Sequence, residues 1–257
     1  MKKNILKIID KKNKRPLVCL TAYSKPVAEI LDKYCDIVLV GDSLATAMYG
    51  MKNTHQVTLD MMIHHGISVS SNLSKALCVV DMPSNTCRTI REAKKNAKLI
   101  VSKTKCDAVK IECNGRNFRI IESVVKSGIP VMGHIGFTPQ YFKKFKVQGL
   151  LNKNILKLIT DGKKNERAGV FSIVVECVTD FAAKEITRSL KIPTIGIGAS
   201  KHCDGQILVT DDMLGLSGFY PKFVKKYARL NNIIEKSVQK YNKAVLTKKF
   251  PTKKNSF

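Results

Sequence analysis

Eight short, β-rich apolar runs alternate with stretches of helical spacing along a chain of 257 residues, and this pattern predicts an α/β fold closed into a (β/α)8, or TIM, barrel. The length suits one barrel domain over residues 1–257 better than two average domains. Most of the runs are continuously apolar rather than alternating, as expected of parallel strands covered on both faces.

The elements follow in order. A helix around Ile5 to Ile9 opens the chain, placed to plug the bottom of a barrel. The strand runs are Leu17–Leu20, Ile37–Val40, Ala76–Val80, Ala108–Ile111, Pro130–Met132, Phe171–Val175, Pro193–Ile197 and Gly205–Val209. Between them, helical spacing links Val27, Ile30, Leu31 and Tyr34; Ile90, Ala93, Ala97 and Ile100; and Ala182, Ile186 and Leu190. A long C-terminal helix is expected from Phe223, Tyr227, Leu230, Ile234, Val238 and Tyr241, followed by a frayed tail after about residue 250. Alternation does not by itself establish closure, so an open doubly wound sheet is the alternative topology.

The formal charge of +25 invites a polyanion-binding reading. Its lysines are spread along the whole chain, in local pairs such as Lys94-Lys95 and Lys225-Lys226, without aromatic interleaving for base stacking. A lysine bias on solvated helix faces explains them better, and no nucleic-acid or membrane partner is expected. The eight cysteines form no C-x-x-C pair and several sit inside apolar runs, which favours reduced, buried thiols and a cytoplasmic protein. The chain start lacks the apolar stretch of a signal peptide, no segment has the apolar length of a membrane span, and the five histidines suggest no zinc site.

Polar and charged residues stand at the downstream ends of successive runs: Asp42-Ser43, Asp81, Lys110 with Glu112, His134 and Glu176. One such acid is usually a helix cap, but several from separate strands converge on one mouth of a barrel, where barrel enzymes carry catalysis. Asp42, Asp81 and Glu112 offer hard oxygen ligands without a Cys or His cluster, a donor set suited to Mg²⁺. Such an ion keeps open positions for a bidentate ligand, such as the carboxylate and keto oxygens of an α-keto acid. Lys110 and Ser43 are candidates to receive the substrate carboxylate. Glu176 is left as a proton-transfer group. His134 either hydrogen-bonds substrate, orients a neighbour or is structural. Gly196-Ile197-Gly198-Ala199-Ser200 lacks the spacing of a dinucleotide fingerprint.

Several motifs resemble ketopantoate hydroxymethyltransferases, in that family's order. They are Val-Gly-Asp-Ser-Leu at 40–44, Val-Thr-Leu-Asp-Met-Met-Ile-His-His at 57–65, Val-Lys-Ile-Glu at 109–112 and Gly-His-Ile-Gly-Phe-Thr-Pro-Gln at 133–140. Further on come Lys-Val-Gln-Gly at 146–149, Val-Glu-Cys-Val at 175–178, Ile-Gly-Ile-Gly-Ala at 195–199 and Asp-Gly-Gln-Ile-Leu-Val at 204–209. The resemblance runs from about Leu17 to about Tyr227. It implies a homo-oligomeric barrel, usually a decamer, that binds Mg²⁺. Its reaction would be transfer of a hydroxymethyl group from 5,10-methylenetetrahydrofolate to 3-methyl-2-oxobutanoate, giving 2-dehydropantoate in pantothenate biosynthesis. By position, Asp42 and Asp81 would be metal ligands and Glu112 would belong to the metal's shell. Asp42, Ser43, Asp81 and Lys110 would contact the keto acid, and Glu176 would accept the proton. Ser24, Ser84 and Ser200 depart from the family's usual residues. The rivals are a related metal-dependent barrel that breaks a C–C or C–P bond beside an α-keto acid, and a basic, non-catalytic nucleic-acid-binding protein, which would leave the strand-end acids unexplained.

Overall fold

The computed structural model describes residues 3–142, 144–218 and 220–257. Eight parallel strands close into a barrel in sequence order: β1 Leu17–Thr21, β2 Ile37–Val40, β3 Leu77–Asp81, β4 Ala108–Glu112, β5 Val131–Gly136, β6 Ser172–Glu176, β7 Thr194–Ile197 and β8 Gly205–Leu208. Closure is made by β8 against β1, with Leu17 opposite Gly205 and Cys19 opposite Ile207, so the open-sheet alternative is excluded.

The helices are α1 Lys3–Ile9, α2 Lys25–Leu31, α3 Leu44–Ala47, α4 Leu59–Ser70, α5 Ile90–Thr104, α6 Phe118–Lys126, α7 Asn152–Arg167, α8 Asp180–Ser189, α9 Thr210–Leu214 and α10 Leu230–Leu246. Local chemistry sets their ends. Thr89 caps α5 by accepting from the Glu92 N–H at 3.1 Å, while Glu92 accepts from the Arg88 N–H at 3.0 Å. The first bond satisfies a donor that the first helical turn would leave orphaned, and the second ties the residue before the cap to the helix. No crossover helix joins β7 to β8; residues 198–204 make that connection as turns, so the strict alternation read from sequence fails there. Helix spacing needs enough residues for several turns, and this connection has too few.

Side-chain parity divides the core in two. Ile37, Leu39, Leu77, Val79, Ala108, Met132, Val174 and Ile195 fill the barrel interior, and Ile5 and Ile8 of α1 close its bottom, the plug expected from sequence. The alternate residues Val38, Val40, Val80, Val109, Ile111, Val131, Ile173 and Val175 face the helices, where Ala93, Ala97, Ile100, Ile121, Ala182 and Ile186 meet them. Lys12 clasps the base through Asp204 at 2.7 Å, and Lys11 and Arg15 both reach Asp36.

The barrel lies in a compact unit, Met1–Val209, and Thr210–Phe257 forms a second. Within the second unit, the long helix starts later than its apolar spacing predicts. Phe223 and Tyr227 precede it, because the Tyr227 N–H is spent on the Met213 carbonyl at 2.8 Å and Val224 closes a turn on Pro221. No residue of α10 is buried, and the tail beyond it contains a short turn, Lys253–Asn255. Among the described residues no helix is long and apolar enough to cross a membrane. All eight cysteines are free thiols, seven of them buried.

Candidate active site in the barrel mouth

The parity that sends Leu77, Val79 and Ala108 into the interior sends Asp81, Lys110 and Glu112 there too, one layer nearer the mouth. On β5 and β6 the same rule aims His134 and Glu176 inward beyond Met132 and Val174. Register then sets neighbours side by side, Asp81 opposite Lys110 and Glu112 opposite His134. The sequence placed Lys110 within its run and Asp81, Glu112, His134 and Glu176 just after theirs. All are strand residues, because the parallel ladder continues through them while their side chains point out of its plane. Asp42 lies just past β2, and Ser43 starts the short α3.

The contacts are close. The Asp42 N–H donates to Asp81 Oδ2 at 2.9 Å, and Lys110 Nζ lies 2.8 Å from Asp81 Oδ1 as an ion pair without good hydrogen-bond alignment. Gln140 bridges three strands: its Nε2 donates to Asp42 Oδ2 at 2.9 Å and to the Met82 carbonyl at 3.0 Å, and its backbone N–H donates to Glu112 Oε2 at 3.0 Å. His134 sits between two acids, Nδ1 at 3.6 Å from Glu112 Oε1 and Nε2 at 3.2 Å from Glu176 Oε2. Neither ring nitrogen makes a well-aligned hydrogen bond. Ser43 Oγ pairs with the Tyr23 hydroxyl at 2.8 Å, and His65 holds the Tyr23 carbonyl through Nδ1 at 2.7 Å.

Electrostatics presses this layer toward neutrality. Burial, followed by the Asp81 charge, pushes the Asp42 carboxyl up to about 7. Burial and Asp42 raise Glu112 well above the usual carboxylate range. Burial, then the Lys110 charge, lowers His134. Lys110 goes the other way: burial opposes its charge, but Asp81, Asp42 and Glu112 outweigh it and raise its pKa. One buried cation among several buried acids leaves negative charge without compensation.

Glu176 is held from both sides by its backbone. The Phe137 N–H donates to its carbonyl at 2.8 Å, and the next residue, Cys177, adopts a left-handed φ of 50° while donating to the Ile197 carbonyl at 2.9 Å. Glycine at 136 is required for the first contact: its φ is +96°, and a β-carbon there would stand 2.2 Å from the Glu176 carbonyl oxygen.

A model of the family described as ketopantoate hydroxymethyltransferase matches residues 2–253. The chain belongs to the ketopantoate hydroxymethyltransferase family. It is a hydroxymethyltransferase, and two relatives carry the name 3-methyl-2-oxobutanoate hydroxymethyltransferase. The protein from Pelagibacter ubique is 52% identical over 257 residues, covering 100% of both chains. The one from Anaplasma marginale is 49% identical over 251 residues, covering 96% of this chain and 91% of its own. Among solved structures, phosphonopyruvate hydrolase in complex with oxalate and Mg²⁺ superposes with a TM-score of 0.65 at 9% identity, covering 99% of this chain and 93% of the other. That likeness is one of fold. The lyase and mutase rival therefore shares the barrel, while sequence identity places this chain with the hydroxymethyltransferases.

Every site residue expected from sequence, Asp42, Ser43, Asp81, Lys110, Glu112, His134 and Glu176, lies in or beside this mouth. Sequence reasoning passed over Gln140, whose signal was its place at the end of the 133–140 motif rather than any charge, and Tyr23, which carried no signal of its own. Of the departures from the family pattern, Ser200 is buried and donates to Asp180 Oδ1 at 2.7 Å, Ser84 lies 3.4 Å from His55 Nδ1, and Ser24 precedes α2 without a side-chain cap.

Proposed function

We propose that this enzyme joins the methylene carbon of 5,10-methylenetetrahydrofolate to C3 of 3-methyl-2-oxobutanoate, with water supplying the hydroxyl oxygen and tetrahydrofolate leaving, to give 2-dehydropantoate, and that a divalent cation, Mg²⁺, is held at Asp42 and Asp81. The observation that carries this reading is the convergence of the buried Asp42, Asp81, Lys110 and His134 with the partly exposed Glu176 in one layer.

The residues fit a magnesium ion. Their donor set is hard oxygen, burial and then neighbouring acids disfavour the Asp42 and Glu112 anions, and Asp81 Oδ1 and His134 lack well-aligned partners. Among the described residues no three His, Cys, Asp or Glu side chains are gathered to hold an ion by themselves. Magnesium commonly takes only one or two carboxylates and completes its shell with water and substrate, so Asp42 and Asp81 suffice. Glu112, tied to Gln140 and facing His134, supports the shell from one side. When bound, the cation supplies a Lewis-acid contribution of several kcal/mol at the substrate's keto oxygen. The chain's own groups do the rest. Lys110 and Ser43 receive the keto acid's carboxylate, Glu176 takes the proton from the carbon beside the carbonyl, and His134 steadies that glutamate. The phosphonopyruvate hydrolase that shares this fold is a complex with oxalate and Mg²⁺, which supports a divalent metal as part of this reading.

The test is direct. Protein, keto acid, methylenetetrahydrofolate and Mg²⁺ together should yield 2-dehydropantoate, and a chelator should abolish it; full activity in chelator would remove the metal from the reading. The enzyme is further proposed to be cytoplasmic and to work as a homo-oligomer, a decamer by family resemblance. Exposed apolar residues of α10 such as Ile233, Val238 and Tyr241 support self-association, and light scattering measures it.

A further inference from the structure

We infer that a cavity beside the acid layer seats the aminobenzoyl-glutamate tail of the folate donor, with Arg88 and Arg116 binding its carboxylates; this deepens the proposed function and rests on folate being the donor. The cavity, of about 390 Å³, lies between the connections that follow β3 and β4 and includes both arginines. That volume is within the range of small-ligand clefts, about 300–1,000 Å³, and exceeds what a small keto acid needs.

Position selects the ligand. Gln140 forms part of the cavity wall and also holds Asp42 Oδ2, while Asn117, another wall residue, donates to the Glu112 carbonyl at 2.8 Å. The cavity and the reacting layer thus share a partition one side chain thick. A co-substrate that delivers carbon to the layer and is longer than the layer can hold extends into this space.

Charge and shape select the same class. The lining contains two guanidinium groups and no carboxylate, and neither arginine has an acidic partner within ion-pair distance among the described residues. Two cavities at the opposite end of the barrel differ, one being lined by Asp204 and the other by Asp32 and Asp36. Arg88 and Arg116 stand just before α5 and α6, so the positive ends of those helices border the same space. Pro83, Ile120 and Tyr141 supply apolar and aromatic surface on which a benzoyl ring can lie. Guanidinium forks match carboxylates in a bidentate way, which a glutamate tail provides and a bare pterin does not.

Steady-state transfer should be compared for wild type and the Arg88→Gln/Arg116→Gln variant. Three donors are needed: methylenetetrahydrofolate with one glutamate, the same donor with three, and a methylenetetrahydropterin lacking the tail. Folate-free exchange of the keto acid's C3 hydrogen with solvent deuterium is measured alongside. The double variant is expected to raise KM for both tailed donors about tenfold to a hundredfold, the loss of one or two charge-assisted contacts. It should leave the tail-less donor and the deuterium exchange at wild-type rates, and Arg→Lys at both positions should recover part of the loss. The pocket assignment is overturned if KM for tailed donors stays within about twofold of wild type while transfer persists, or if exchange falls with it, since the arginines would then serve the enolisation layer. Wild-type protein that exchanges the C3 hydrogen but transfers nothing from any folate overturns the donor itself, and this occupant with it.

Discussion

The two ends of the barrel treat carboxylates in opposite ways. At the bottom, Asp32 accepts four hydrogen bonds from Ser74, Lys75 and Ala76; burial pushes its carboxyl up, but these donors outweigh it and hold the pKa at about 2. Asp36 is likewise lowered: burial opposes, and Lys11, the Val18 N–H and Arg15 prevail. At the mouth Asp42 is raised instead, to about 7, first by burial and then by the facing Asp81 charge. Bottom charges are satisfied by the chain itself and stabilise the fold. Mouth charges are left short of counter-charge and cost stability, which is how a site that must bind a cation and an anionic substrate differs from a structural joint.

Substitutions at each end should break or sharpen that contrast. The largest effect belongs to Glu176→Gln, which keeps shape and removes basicity: turnover should fall by roughly two to four orders of magnitude with Mg²⁺ and keto acid still bound. Deuterium exchange at C3 at the parental rate would show that Glu176 is not the base. Asp42→Asn should cost about a hundredfold to a thousandfold in turnover, yet the metal-free variant should melt no lower than its parent. A clear drop in its melting temperature would mean that the mouth stabilises as the bottom does. Ile5→Ala opens a cavity under the barrel and should lose about 2–5 kcal/mol of stability in urea titration, with kcat per folded molecule unchanged. The smallest effect is at Asp32. With a folded pKa near 2 and an unfolded value near 3.9, its stabilisation is present above about pH 4 and lost as pH falls toward 2. Asp32→Asn should therefore lower the melting temperature by about 2–4 °C at pH 7, and parent and variant should converge near pH 2.

Much of this was legible in the residues. Strands buried on both faces are near-continuous apolar runs, so Ile37–Val40 and Phe171–Val175 announce themselves, and parity turns the following Glu176 inward. What could not be read depends on contacts between distant segments. Gln140 carries no charge and gains its role only when the β5–α7 connection folds over Asp42 and Glu112. The turn connection between β7 and β8, by contrast, follows from the short spacing of the runs Pro193–Ile197 and Gly205–Val209. The late start of α10 was set by a single backbone bond from Tyr227 to Met213.

A side chain at Gly136 would disturb the mouth in a way that no single charge change does. A lost carboxylate can be restored by one reversion, or its work shared by a neighbour, and the barrel still folds meanwhile. A side chain at 136 would collide with the backbone of the adjacent strand, displacing the ladder that carries both His134 and Glu176. Intermediates along that route would lose two functional groups at once. Loops around this mouth can therefore diversify toward new substrates, while the seam between β5 and β6 stays closed to experiment.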